Sequence, residues 1–141
     1  MRSVHDQIDI DAPPERVWRE FTDFRSFPSW NPFIRKMSGK LKPGRRLRVK
    51  LRLGRWLVTL RPRVTVVKPG RELRWLAREP VPHLFDVERV FMFEPRGGGT
   101  RFVQSETGRG LLAPILMPIL HRPIAKGYAA LNQALKVRAE R

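Results

Sequence analysis

Residues 85–107 read FDVERVFMFEPRGGGTRFVQSET, and this stretch decides the fold. Its first half alternates between apolar and polar residues, with Phe91 and Phe93 on the apolar side, which is the period of a strand with one buried face. Residues 95–100, PRGGGT, have the composition of a flexible hairpin turn, and residues 101–107 resume the alternation. The stretch therefore predicts two long antiparallel strands joined by a tight turn.

The strand period recurs before this hairpin. Residues 4–10 alternate, and residues 45–53, RRLRVKLRL, alternate without a break between a basic face and an apolar one. Residues 56–67 continue the pattern across Pro62, whose nitrogen has no hydrogen to donate to a ladder, so we expect an edge or a bulge at that point.

A further strand is predicted over residues 72–78, and Pro80 and Pro82 end it. Short turns separate most of the strands. We therefore expect about seven strands in one antiparallel sheet.

Two segments have the period of a helix instead. A short helix begins at the paired prolines near the N terminus and ends near Asp23. Apolar residues at three- and four-residue steps from Ile124 to Leu135 predict one long helix, and Pro114 and Pro118 predict that it begins at or after about residue 118. Nothing else in the chain can bury the concave side of a curved sheet, so we expect an α+β fold with this helix against the sheet and a pocket between them.

Composition sets the remaining limits. The chain has 141 residues, which fits one domain over residues 1–141, and it has no cysteine for disulfides, thiolate nucleophiles or thiolate metal sites. The first twenty residues lack an export signal, which together with the missing cysteines favours the cytoplasm. The net charge is +16, with 22 Arg and 7 Lys spread along the chain, a bias that genomic base composition explains as easily as selection for an anionic partner.

Several separated motifs resemble one superfamily. They are residues 8–18 (IDIDAPPERVW), the aromatic-rich residues 24–33, residues 69–75 (PGRELRW), Glu106 ahead of a Gly-Leu-Leu, and residues 132–136 (NQALK). Together they resemble the START-like, or SRPBCC, superfamily, which includes polyketide cyclase/dehydrase-type and birch-pollen-allergen-like proteins. The resemblance implies a helix-grip fold, in which a curved sheet wraps a long C-terminal helix and encloses a hydrophobic cavity. It leaves the function open, since one fold supports many functions.

Three polar residues share the apolar face of the central hairpin. If Phe91 and Phe93 point inward, the alternation places Arg89, Gln104 and Glu106 inward as well. Arg89 can clamp a carboxylate, phenolate or enolate, Gln104 can orient a carbonyl, and Glu106 can accept a proton. The competing interpretation is that Arg89 and Glu106 simply neutralise each other, and pairing with arginine would make Glu106 a poorer base.

An apolar ligand would also need an apolar wall. We expect candidate wall residues on the strands, on the long helix and at the pocket mouth, although each can equally belong to a filled core. The candidates are Leu60, Trp75, Phe91, Phe93, Phe102 and Tyr128, with Trp30 at the mouth.

No cofactor or metal is expected. The three histidines, His5, His83 and His121, stand on different elements without partners at ligand spacing. Nucleophile elbows, phosphate loops and dinucleotide fingerprints are also missing from the sequence. Glu106 and Arg89 are therefore the sole catalytic candidates, and this poverty of inward ionisable groups favours binding over catalysis.

Three functions remain. The first is binding of a hydrophobic or aromatic small molecule, as a carrier or sensor; the second is an aromatase/cyclase-type enzyme acting on a polyketide-like substrate. The third is a basic peripheral membrane protein, because a stripe that includes Arg48, Lys50 and Arg52 can meet anionic headgroups beside the apolar residues 111–120. Nucleic acid is disfavoured, since the stripe lacks stacking aromatics, and the sequence does not give the oligomeric state.

Overall fold

A computed structural model describes residues 2–78 and 83–141 of the chain, so Pro80 and Pro82 lie outside the described residues. Eight strands are present. They are β1 (Arg2–Ile10), β2 (Ile34–Ser38), β3 (Arg48–Leu53), β4 (Trp56–Leu60), β5 (Arg63–Lys68), β6 (Glu72–Ala77), β7 (Asp86–Arg96) and β8 (Gly99–Arg109). The helices are α1 (Pro14–Thr22), a 3-10 turn (Phe24–Ser26), the one-turn α2 (Phe27–Trp30) and α3 (Ala113–Ala139).

The strands form a five-stranded part in the order β1-β8-β7-β6-β5 and a three-stranded part in the order β2-β3-β4, with every pairing antiparallel. The break between the parts falls at Pro62, where the sequence predicted an irregularity. Val49 faces Leu60 and, beyond the break, Arg46 faces Arg63, so the register is the same on both sides. β4 and β5 are therefore two halves of one strand, and the sheet is the predicted antiparallel sheet of seven strands.

Helix α3 begins earlier than predicted. It starts at Ala113 and contains both Pro118 and Pro123. Proline removes one backbone donor, which would have bonded the carbonyl four residues earlier, at Pro114 and Ile119 respectively. Both of those residues are exposed, so their carbonyls can be hydrated, and the helix tolerates the prolines. Within the described residues, no helix has the length and hydrophobicity needed to cross a bilayer.

An aromatic cluster forms the core at one end of the sheet. The buried ring of Phe21, on α1, lies 4.8–5.9 Å from the rings of Phe27, Phe91, Phe93 and Phe102. These are the offset and tilted contacts that aromatic rings prefer. Helix α1 thereby closes the end of the sheet that holds the β7–β8 turn.

The long helix covers the rest of the concave face. Its buried side chains recur at the predicted helical spacing and include Met117, Ile124, Tyr128, Leu131 and Leu135. At Gly127 the helix meets Phe33, just before β2, so closely that a Cβ atom would lie 2.2 Å from the ring. The buried Phe33 ring thus occupies the space that any side chain at position 127 would need.

We expect Gly127→Ala to destabilise the fold by about 1–3 kcal/mol, because overpacking against the buried Phe33 ring outweighs the roughly 1 kcal/mol that alanine contributes in a helix. Urea unfolding measures the change. Gln133→Ala, at an exposed position of the same helix, is the control and should change stability very little. A Gly127→Ala variant that is more stable than the wild type would show that the ring moves aside without cost.

Candidate functional site

A buried ion pair lies at the middle of the sheet. Arg89 on β7 faces Glu106 on β8, and Arg89 Nη2 donates to Glu106 Oε1 at 2.5 Å. The two side chains are only 2% and 4% exposed. Both point to the concave face, where the alternation of the hairpin predicted them.

Two aromatic rings hold the guanidinium in place. The central carbon of Arg89 lies 5.1 Å from the ring centre of Phe33 and 5.3 Å from that of Tyr128. Such contacts stabilise a cation more when water is excluded. Phe33 is positioned by Asn31, whose side-chain oxygen accepts backbone hydrogen bonds from Phe33 at 3.0 Å and from Ile34 at 2.8 Å.

A second polar group bridges the sheet to the long helix. The amide nitrogen of Gln104 donates to Asn132 Oδ1 at 2.6 Å and to the carbonyl oxygen of Tyr128 at 3.3 Å. All three residues are buried. The inward polar residues of β8 are thereby linked to one turn of α3.

Five buried side-chain atoms of these residues have no hydrogen-bond partner of standard geometry among the described residues, although the Arg89 guanidinium and the Tyr128 hydroxyl interact with each other. They are Nδ2 of Asn31, Nε and Nη1 of Arg89, Oε1 of Gln104 and the hydroxyl of Tyr128. Native proteins leave few such atoms unsatisfied, and each calls for an explanation. Three of the five are donors and a fourth is a hydroxyl, so the group as a whole suits an oxygen acceptor.

Burial and charge determine the protonation of this cluster. Desolvation lowers the pKa of Arg89, but the charge and hydrogen bond of Glu106, together with the contribution of Tyr128, outweigh it, so the net pKa is raised and the guanidinium stays charged. Burial raises the pKa of Tyr128 strongly, and the opposing effect of Arg89 does not cancel this. At neutral pH the site therefore presents a cation and a protonated phenol.

The polar cluster separates two different parts of the concave face. On one side lie the packed rings around Phe21. On the other side, toward the end of the sheet where α3 begins, several apolar side chains are only partly buried: Leu53, Leu60, Phe85 and Leu120. The concave face is therefore tightly filled on one side of the polar cluster and less completely buried on the other.

The predicted wall residues fall into three groups. Phe91, Phe93 and Phe102 are buried with Phe21, and Trp75 packs edge-on against Phe91 at 5.1 Å, so these four belong to the aromatic core or its border. Tyr128 lies in the polar cluster. Leu60, at the end of β4, is half-buried.

Trp30 is the predicted residue that the structure keeps away from the cluster. Its indole nitrogen donates to Ser26 Oγ at 2.8 Å, and the guanidinium of Arg138 lies over its ring at 5.4 Å. It faces a surface groove on the C-terminal half of α3.

Three residues of the cluster were not predicted from the sequence: Asn31, Phe33 and Asn132. All three lie within motifs that carried the superfamily resemblance. Asn132 follows Tyr128 by one helical turn, so the same helix face was a signal that could have found it. Phe33 had no comparable signal, because its place over Arg89 depends on how the aromatic segment folds across the helix.

A strongly curved antiparallel sheet that grips one long C-terminal helix, with polar groups inside, defines the START-like, or SRPBCC, class of proteins. The sequence agrees with this class. Residues 1–140 match the family described as "Polyketide cyclase / dehydrase and lipid transport", and the chain belongs to that family.

Solved structures with the same fold share little sequence. TTHA0849 from Thermus thermophilus is 20% identical with a TM-score of 0.75, over 98% of this chain and 97% of that one. A START superfamily protein from Mycobacterium smegmatis is 19% identical with a TM-score of 0.74, over 98% and 97%. The di-domain ARO/CYC BexL of the BE-7585A biosynthetic pathway is 18% identical with a TM-score of 0.79, over 99% of this chain and 50% of BexL. No curated protein matches the sequence significantly.

Tyr128 is the sole tyrosine of the chain, so its ionisation can be followed by absorbance near 295 nm without interference from another phenol. Its raised pKa means that the folded protein retains a proton that the unfolded chain loses above about pH 10. Stability should therefore decrease as pH rises above that value. We expect the phenolate signal to appear together with loss of near-ultraviolet circular dichroism, and ionisation within the folded protein would contradict the burial of the hydroxyl.

Removing one partner of the ion pair should lower the free energy of unfolding strongly, whereas replacing both partners should change it much less. We expect Glu106→Gln to lower the free energy of unfolding by about 3–5 kcal/mol, because the charge of Arg89 remains buried without its counterion. The double variant Arg89→Met/Glu106→Leu should recover most of that loss in urea unfolding. Arg101→Met, which removes the exposed pair with Asp9, is the control and should have little effect.

Proposed function

We propose that this protein binds a hydrophobic small molecule that carries an oxygen acceptor, and that it acts as a carrier or sensor of that molecule. The observation that supports the proposal is a set of buried polar atoms without a standard hydrogen bond on Arg89, Tyr128 and Gln104, three residues that contact one another. A few polar anchors among apolar side chains are typical of small-molecule sites.

The chemistry of the anchors defines the ligand class. Arg89 Nη1 and Nε and the Tyr128 hydroxyl can donate to a carbonyl, carboxylate or phenolate oxygen, while Gln104 Oε1 can accept a hydrogen bond from a ligand hydroxyl. The half-buried Leu60 and Phe85 would contact the apolar part of the ligand. The family description, which includes lipid transport, agrees with this class of ligand.

Two features favour binding over catalysis. Glu106 is occupied by its ion pair with Arg89, and Tyr128 remains protonated, so neither group is a free base at neutral pH. These groups are therefore better suited to orienting a bound ligand than to converting it.

Binding can be tested with the fluorescent aromatic sulfonate anilinonaphthalene sulfonate, whose anionic oxygens and apolar rings match the proposed class. Tyr128→Phe should weaken its binding about three- to tenfold, since one hydrogen bond is lost and the ring is kept. Trp30→Phe, which changes an aromatic residue away from the cluster, is the control. Equal affinities for the wild type and Tyr128→Phe would contradict the role of the hydroxyl.

Native mass spectrometry of the purified protein should identify the natural ligand. We expect a co-purified compound with an apolar body and at least one carbonyl, carboxyl or phenol group. A purely hydrocarbon ligand would contradict the role of the polar cluster.

An aromatase/cyclase-type enzyme is the second candidate, because the Glu106 carboxylate and the Tyr128 phenol both contact the Arg89 guanidinium. In that case Glu106→Gln would bind the compound but no longer convert it. If the wild type converts the compound and this variant only binds it, the protein is an enzyme and not a carrier.

A further inference from the structure

Basic residues occur along the whole chain, but acidic residues are confined to parts of it. Residues 24–71 and 107–139 together hold 20 Lys and Arg and no acidic residue, whereas the other 60 residues hold 9 basic and 13 acidic ones. The first of these ranges contains β2–β5 and the second contains α3. General base composition would not remove every acid from these two stretches, so the segregation indicates a basic surface.

Exposed apolar side chains concentrate in the same two regions. Six large apolar side chains are exposed among the described residues, and five of them form what we call the apolar rim: Trp56, Leu57, Leu111, Ile115 and Ile119. Trp56 is 68% exposed and Leu111 is 80% exposed. The sixth, Val137, lies near the C-terminal end of α3.

The register shows that both parts of the rim lie at one end of the sheet. Asp86 at the start of β7 faces Arg109 at the end of β8, and α3 begins four residues later. Arg63 at the start of β5 faces Leu76 near the end of β6, so β4 extends beyond it toward this same end. The β3–β4 hairpin with Trp56 and Leu57 therefore projects where α3 begins.

Helical spacing joins the rim to basic residues. Ile115, Ile119, Arg122 and Lys126 follow at steps of four, three and four residues, which places them in one stripe on the outward face of α3. All four are exposed. With Arg52, Arg55 and Arg109, which are exposed near the same end, Arg122 and Lys126 make up what we call the basic flank.

We propose that the apolar rim and the basic flank dock this protein on an anionic phospholipid bilayer. Exposed Leu, Ile and Trp side chains enter the interface, while Arg and Lys attract anionic headgroups. Charge complementarity selects this occupant, because the stretches that form the surface hold no acidic residue. Two acidic residues of β7 lie at the same end, but Asp86 is buried and paired with Arg78, and Glu88 is half-buried. The docked end is the one beside the half-buried Leu53, Leu60, Phe85 and Leu120, so a bilayer would face that side of the concave surface. Docking does not depend on the proposed ligand.

Vesicle co-sedimentation tests the proposal at a salt concentration of about 0.15 M. The wild type should bind phosphatidylcholine vesicles that contain about 30% phosphatidylserine and should not bind phosphatidylcholine alone. Ile115→Ser/Ile119→Ser should reduce the partition coefficient at least about tenfold, from the apolar area lost. Val137→Ser, which changes the exposed apolar residue outside the rim, should bind as the wild type does.

The basic flank has its own matched pair of variants. Arg122→Glu/Lys126→Glu should reduce binding at least about tenfold, since each basic residue near the surface contributes to attraction. Lys68→Glu/Arg71→Glu makes the same charge change at the β5–β6 turn, at the opposite end, and should reduce binding much less. Circular dichroism and urea unfolding confirm that each variant is folded.

Four results would overturn the proposal. The first is a wild type that does not bind anionic vesicles, including one that binds duplex DNA alone. The second is an equal loss of vesicle binding in the two charge-reversal variants, because the protein would then be attracted by its net charge without a preferred docking face. The third is unchanged binding by Ile115→Ser/Ile119→Ser. The fourth is a lipid-free dimer, seen by analytical ultracentrifugation, that the same double variant abolishes, because a second copy would then cover the rim.

Discussion

The concave side of this protein is organised around one charged pair that the fold buries. Arg89 and Glu106 face each other across the two longest strands and are almost completely removed from water. An unpaired charge there would be very costly, so any register of β7 and β8 that separated the two side chains would be strongly disfavoured. The rings of Phe33 and Tyr128 then pack against the guanidinium, which connects the sheet to the aromatic segment and to α3.

This arrangement divides the interior into two parts with different roles. The rings around Phe21 fill one end, where they stabilise the contact between α1 and the sheet. The other end keeps half-buried apolar side chains, and its outer margin carries the apolar rim and the basic flank. Ligand binding and membrane docking, as proposed, would use the same end, because the aromatic core closes the opposite one.

Local patterns predicted most of the fold. The alternation of residues 85–107 predicted the central hairpin and its inward polar residues, and Pro62 marked the break between β4 and β5. The start of α3 was predicted wrongly at about residue 118, because a proline in a helix costs less where the carbonyls that lose a partner remain exposed. Sequence period cannot report that exposure.

The sequence by itself determined which residues of each strand and helix share a face, because strand and helix periods are local properties of the backbone. It therefore determined that Arg89, Gln104 and Glu106 lie together inside. The tertiary structure alone decided that Phe33, Asn31 and Asn132 join them, that Trp30 lies at the surface, and that two distant acid-free stretches meet at one end of the sheet. Those outcomes depend on contacts between residues far apart in the chain, which no local pattern encodes.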